Sequence, residues 1–276
     1  MAQAIRSIHC RPRLRIARVP APIMNTNQYD KDCTTFSPQG RLIQVEYAME
    51  TVTHGSIVVG LKSKTHVVLG CLLKAQSELV EPLRKTFKID DHMSIGIAGL
   101  MADARVLTDY MRNECLNHRY VYGSPMRTGR LVQQIADKSQ AKTQFASRRP
   151  YGVGMLVVSV DDDGPHLYQT LPDGNFFEYN AMAIGNRQQS AKTYLEKHFE
   201  TFPDCGRDQL IGHVLESLEK ALENPSTEPL TPQKMSVTVI GIDEACAELT
   251  NEQLATFLAG RATAPSADVE MVDATS

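Results

Sequence analysis

No apolar run in this sequence approaches the ~20 residues that a membrane-spanning helix needs, so a soluble chain is expected. No C-x-x-C pair occurs either. Cys10, Cys33, Cys71, Cys115, Cys205 and Cys246 stand far apart, which speaks against a zinc site and a disulfide framework and fits a reducing compartment. Cys71 and Cys115 fall in apolar-periodic segments and read as small buried hydrophobes. Neither sign of charge dominates: 29 Lys and Arg against 32 Asp and Glu leave a net charge of −3, so the whole chain has no bulk attraction to nucleic acid or membrane. Tryptophan is absent, yet 42% hydrophobic residues over 276 positions suffice for a sizeable core.

The two ends differ from the middle. Residues 1–23 carry five arginines and no acid. Such a stretch fits a transit peptide, an unstructured basic arm, or an upstream extension of the reading frame before Met24. Residues 1–27 are expected to form a disordered basic extension. Residues 260–276, rich in Ala, Thr, Ser and Pro with Asp268, Glu270 and Asp273, bury too little apolar area to offset their ordering entropy, and a disordered acidic tail is expected. Residues 28–259 read as one domain.

Within that domain, Ser37-Pro38-Gln39-Gly40 reads as a turn that also starts a helix, since Ser caps and Pro is tolerated in a first turn. Leu42, Val45, Met49 and Val52 then form one apolar stripe. The pattern predicts an amphipathic helix over 40–54, with Gly55 as its C-cap. "SIVVGLK", "HVVLGCLL", "TFKID" and "MSIGIAGL" read as strands. Helical spacing returns at Leu100, Ala104, Leu107, Met111 and Cys115, and again around Leu131 and Ile135. A second strand block follows in "GVGMLVVSVD", "HLYQT" and "FFEYNAMAIG", then two helices, the strand "MSVTVIGID" and a short helix over 251–258. Hairpin-linked strands separated by helix pairs predict two mostly antiparallel sheets packed face to face, with helices outside both.

The Gly55-Ser56 junction poses a chemical question, because some hydrolases put their nucleophile where a buried strand begins. The surrounding residues bear on it. "YDKDCTTFSPQGRLIQVEYAMETVTHGS" (Tyr29 to Ser56), "GLMADARVL" (Gly99–Leu107), "RRPYGVG" (Arg148–Gly154) and "AIGNRQQSAKTYLE" (183–196) together resemble the signature of proteasome alpha-type subunits. The resemblance runs from about Gln28 to about Leu258. "NQYD", "KSKTHVVL", "KAQSEL" and "DGNFFEY" are most similar to the type-1 branch, sixth in ring nomenclature.

The resemblance implies a four-layer α/β/β/α sandwich of the N-terminal-nucleophile hydrolase class, with an extra N-terminal helix. It implies a non-catalytic structural and gating subunit of the 20S alpha ring, serving ATP- and ubiquitin-dependent protein degradation in cytoplasm and nucleus. The implied partners are neighbouring alpha subunits, the underlying beta ring and the C-terminal tails of a regulatory particle or activator. No cofactor, metal, nucleic acid or membrane is implied.

Active relatives in the beta rings use an N-terminal threonine whose own α-amine acts as base, tuned by a lysine and an aspartate. Here Ser56 follows a glycine and Lys85 matches the lysine, so an active N-terminal-nucleophile endopeptidase is the alternative. Counted ungapped from Gly60, however, the aspartate position is Leu72, which can accept no hydrogen bond. The helix before Ser56 also carries a stripe that needs a partner surface, and with it attached Ser56 has an amide in place of an amine.

The family's gate implies roles for Tyr29, Asp30 and Pro38. Lys31 stands where the family has arginine, and lysine lacks that planar fork. The family's regulator-tail pocket implies Gly55, Lys85 and Leu100, with Lys85 accepting a terminal carboxylate. The apolar faces around Leu100–Cys115 and Leu131–Ile135 are expected at ring seams or in this subunit's own core. His118 and His166 have no partner at metal spacing. "DDDG" (161–164) lacks the rest of a calcium loop and reads as a hairpin turn.

Overall fold

The structure is a computed structural model that describes residues 29–74, 79–222 and 230–262. The basic extension and most of the acidic tail expected above lie outside the described residues.

Helix α1 (Ile43–Thr53) is followed by β1 (Val58–Lys62), β2 (His66–Leu72), β3 (Thr86–Asp90) and β4 (Met93–Gly99). Helices α2 (Met101–Tyr122) and α3 (Thr128–Thr143) come next, then β5 (Val153–Asp161), β6 (Gly164–Thr170), β7 (Phe176–Glu178) and β8 (Ala181–Ile184). Helices α4 (Gln188–His198) and α5 (Arg207–Lys220), strands β9 (Met235–Gly241) and β10 (Ala247–Glu248), and α6 (Asn251–Ala262) complete the order. The last helix runs past the expected 258, to Ala262.

The strands form two antiparallel five-stranded sheets, ordered β10-β9-β2-β1-β8 and β3-β4-β5-β6-β7. Alternation decides what each strand face meets. In β2, Val67, Leu69 and Cys71 point between the sheets with Val58, Ala98, Leu156 and Leu167. Val68 and Leu72 point the other way, onto Leu195, Leu210, Val214 and Leu218 of α4 and α5. The second sheet sets Ile95, Ile97 and Met155 against Leu107, Met111, Leu131 and Ile135 of α2 and α3. The result is the four-layer sandwich, and strands buried on both faces explain the near-continuous apolar runs.

Three local readings need correction. The run "FFEYNAMAIG" is two strands in different sheets: Tyr179 N–H donates to Leu167 in the second sheet at 2.9 Å, while the Asn180 carbonyl accepts from Lys62 in the first at 2.9 Å. The chain changes sheets between consecutive residues. The Ser37 turn is separate from the helix. Gly40 at φ +77° closes it, Arg41 N–H donates to Ser37 Oγ at 3.1 Å, and α1 begins at Ile43 with no side-chain cap. The buried face of α1 is Val45, Ala48 and Val52, so Ala48 takes the place given to Met49.

The third concerns Gly55. His54 caps α1 in right-handed conformation, and Gly55 is not at positive φ. A Cβ on Gly55 would lie 2.3 Å from the Gly99 nitrogen. Close backbone approach, not helix termination, requires the glycine.

Candidate functional site

Helix α1 packs on β4 and β5, where Val52 enters the cluster between the sheets. A Cβ on Gly154 would meet Val52 Cγ1 at 2.7 Å, so β5 and α1 fit closely. Ser56 follows directly, held on both sides: Asn186 N–H donates to the Gly55 carbonyl at 2.7 Å, and Leu72 N–H donates to the Ile57 carbonyl at 3.1 Å. Ser56 therefore sits between two residues whose carbonyls are both hydrogen-bonded.

A small cavity of about 110 Å³ opens beside it, lined by His54, Ser56, Leu72, Lys74, Asn186 and Leu222 among others. Leu72, which the resemblance puts at the position of the beta-ring aspartate, does line the same cavity as Ser56. No acid lines the cavity among the described residues. Arg187, in left-handed conformation at φ 56°, forms part of the wall and donates from Nη1 to the Leu222 carbonyl at 2.8 Å.

Lys85 is not part of this wall. It lies near Cys71, which is on the opposite face of β2 from Leu72. Burial holds the Lys85 ammonium below the usual lysine range. The fully buried Cys71 thiol is itself pushed up to about 12 by desolvation and stays neutral. The Lys85 carbonyl accepts from Ile97 N–H at 3.0 Å, so Lys85 immediately precedes β3 and lies opposite the end of β4. Gly55 abuts Gly99, and Leu100 follows with 45% of its surface exposed. Gly55, Lys85 and Leu100 therefore gather at one end of the second sheet.

The three gate candidates sit around the start of α1. Tyr29 and Asp30 are half-buried, and Gln44 Nε2 of α1 donates to the Asp30 carbonyl. Pro38 is exposed at the apex of its turn, which is followed by a bidentate Arg41–Glu46 ion pair. Lys31 is exposed and lines a second cavity, of about 310 Å³, with Gln44, Arg148 and Arg149.

Sequence reasoning missed two fastenings of this region. Arg149 grips Asp103 through its two terminal guanidinium nitrogens, Nη1 and Nη2, at 2.6 and 2.7 Å, and Gly152 N–H adds a bond at 3.0 Å. These bonds, the Arg149 one first, hold the Asp103 carboxyl below its usual range against the opposing effect of burial. Buried Cys33 points its thiol at the carbonyls of Phe145 and Arg148, at 3.2 and 3.3 Å, and so pins the N-terminal segment to the end of α3. Neither has a local signal, because the partners lie 46 and more than 100 residues apart.

The weaker candidates resolve individually. His166 Nδ1 lies 2.9 Å from Glu178 Oε1, so it does have a carboxylate partner, across the β6–β7 pair. His118 meets the Ser124 carbonyl at 3.1 Å. "DDDG" is the β5–β6 turn, and Asp161 holds the start of α3 through Thr128 N–H at 2.8 Å. Among the described residues no three His, Cys, Asp or Glu side chains are grouped to hold a metal ion, and no helix is long and apolar enough to cross a membrane. Of the faces around Leu100–Cys115 and Leu131–Ile135, expected at ring seams or in this subunit's own core, Ala104, Leu107, Met111, Cys115, Leu131 and Ile135 are in the core, whereas Leu100 and, farther along α2, Val106, Leu116, Tyr120 and Val121 are exposed.

Comparison with known proteins agrees with this geometry. The profile of the family described as "Proteasome subunit" matches residues 52–240, and the profile of the N-terminal signature of A-type proteasome subunits matches residues 29–50. An alpha type-1 proteasome subunit of Dictyostelium discoideum is 53% identical over 79% of this chain and 88% of its own. A probable alpha type-6 proteasome subunit of Schizosaccharomyces pombe is 48% identical over 80% of each. An alpha type-1 proteasome subunit of Drosophila melanogaster is 46% identical over 86% of this chain and 85% of its own.

Proposed function

The chain belongs to the proteasome subunit family as an alpha-type member of the 20S core, and from that premise we propose that it is a non-catalytic ring subunit that helps gate the substrate channel and dock regulators. The observation that carries the reading is the lining of the cavity beside Ser56: Leu72 stands where catalysis would need a carboxylate, and no acid lines the cavity among the described residues. An N-terminal nucleophile needs its own amine as base, and a serine without base or acid is inert.

In this reading protein degradation is carried out by the beta rings beneath, in cytoplasm and nucleus, and this subunit contributes ring contacts, a gate and a docking pocket. Tyr29, Asp30 and Pro38 serve the gate. Gly55, Lys85 and Leu100 line a pocket for a regulator's C-terminal tail, with the half-buried Lys85 ammonium facing the terminal carboxylate.

The test of inertness uses the assembled particle and a peptide epoxyketone, a reagent that needs both a hydroxyl and an α-amine to close its adduct ring. Intact mass of this chain is expected to be unchanged while other subunits gain the reagent. An adduct here, or a chain that begins at Ser56, establishes the peptidase instead.

A further inference from the structure

A groove of about 490 Å³ runs along the edge of the first sheet, between β8, the last strand in its order, and α4. Met182, Leu195 and Phe199 give it an apolar lining, and Phe199 is 53% exposed. Tyr179, at one end of the groove, meets Phe177 edge to face with ring centroids 6.3 Å apart, so the apolar surface continues outward.

Two features define what fits there. The first is the backbone. Lys62 N–H donates to the Asn180 carbonyl, and the same register pairs Gly60 with Met182 and Val58 with Ile184. Bonded and non-bonded pairs alternate in an antiparallel ladder, so Ala181 turns its N–H and C=O away from β1, towards the groove it lines. The second is Lys192. It is half-buried in the α4 wall, and no described residue forms a hydrogen bond or ion pair with it. Burial weakens its hold on a proton, opposed only by the more distant charge of Glu196. Glu196 lines the same groove but makes no ion pair with Lys192; a half-buried cation lacking a contacting anion is unfavourable, and a carboxylate brought into contact with it relieves the cost.

We propose that this groove docks an extended segment of a partner protein that carries an aromatic or long aliphatic side chain next to an aspartate or glutamate. The apolar side chain enters between Met182 and Phe199, the carboxylate meets Lys192, and the segment's backbone bonds to the free groups of Ala181. A purely apolar occupant would bury Lys192 unpaired. An anionic membrane would require a cluster of cations, and the groove has one.

The probe is a fluorescently labelled peptide, acetyl-Ser-Val-Phe-Asp-Val-Ser-amide, with a sibling in which Lys replaces Asp, each titrated against the full chain by anisotropy. The Asp peptide is expected to bind about tenfold more tightly than the Lys peptide, the scale of one charge-assisted contact. K192E is expected to reverse that preference, and F199S to weaken the Asp peptide. Because Lys192 and Phe199 are both partly exposed, the variants are checked for an unchanged melting temperature, and the Ala181 amide resonance is expected to shift on titration with the wild type. Equal binding of the two peptides, or a preference that K192E leaves intact, overturns the proposal. So does self-association of the probe-free chain that K192E abolishes, which assigns the groove to a second copy.

Discussion

Gly55 and Gly99 meet backbone to backbone: a Cβ built on Gly55 would stand 2.3 Å from the Gly99 nitrogen and 2.9 Å from the Ala98 carbonyl carbon. Neither neighbour is a flexible side chain that can move aside. Gly55→Ala is therefore expected to destabilise the chain by about 1–3 kcal/mol, which thermal unfolding reads as a fall of about 2–4 °C for each kcal/mol in a chain of this size. Gly212, inside α5 with nothing within 4 Å of the place a methyl would take, is the control. Gly212→Ala is expected to raise stability by about 0.5–1 kcal/mol. Equal effects of the two substitutions would refute the close-approach reading of Gly55.

Lys85→Ala is expected to leave melting temperature and ring incorporation nearly unchanged while weakening a regulator-tail peptide about tenfold, measured by anisotropy on the assembled particle. The pH dependence has a definite sign. Burial puts the folded-state value below the usual 10.5, so the charge that holds the tail is lost on raising pH at a lower value than for a free lysine. For stability, the unfolded chain binds more protons between the two values, and this group's contribution improves as pH rises through that interval. Lys85→Arg stays charged throughout and should flatten the alkaline loss of tail binding.

Much of this was legible where local pattern and tertiary need coincide. Val68 and Leu72 alternate with Val67, Leu69 and Cys71 as a doubly covered strand must, and Leu107, Met111 and Cys115 recur with the helical period. The Ser56–Leu72 juxtaposition followed from the family resemblance, by counting from Gly60 to the position of the beta-ring aspartate. What was not legible depends on distant pairing. "FFEYNAMAIG" reads as one strand, because its division is made by partners Leu167 and Lys62 in different sheets. The position of Lys85 on the other face of β2 from the cavity depends on where β3 begins, and no residue near Lys85 encodes that.

Asp103→Asn removes the charge that Arg149 and Gly152 N–H both address. Asp103 is 7% exposed, and a hydrogen bond to a buried charge contributes about 2 kcal/mol, so a loss of that order is expected in urea unfolding at neutral pH. Its folded-state value is lowered from 3.8. The stabilisation is therefore complete above that value and disappears as pH falls through the folded one. In acid titration the wild type should lose stability more steeply below about pH 4 than the Asn variant does. Parallel curves would show that Asp103 is not the responsible carboxylate.

Gln44 connects α1 to Asp30, one of the residues proposed for the gate. Its side-chain amide donates to the Asp30 carbonyl, so a helix packed on β4 and β5 holds the residue assigned to the gate. Leu has nearly the shape of Gln but no donor, so Gln44→Leu keeps the bulk and releases Asp30. The assembled particle carrying this variant is expected to hydrolyse small peptides several-fold faster in the absence of an activator. With a saturating activator it should match the wild type, since an open gate cannot open further. A change in both states would point to the catalytic subunits and not to the gate. The nearby Arg41–Glu46 pair supplies the contrast: Arg41 is 57% exposed at its side chain, and surface ion pairs contribute about 0–1 kcal/mol. Arg41→Met should leave basal hydrolysis within a small factor of wild type, and if it opens the channel as far as Gln44→Leu does, the turn at Pro38 and not the Asp30 anchor controls the gate.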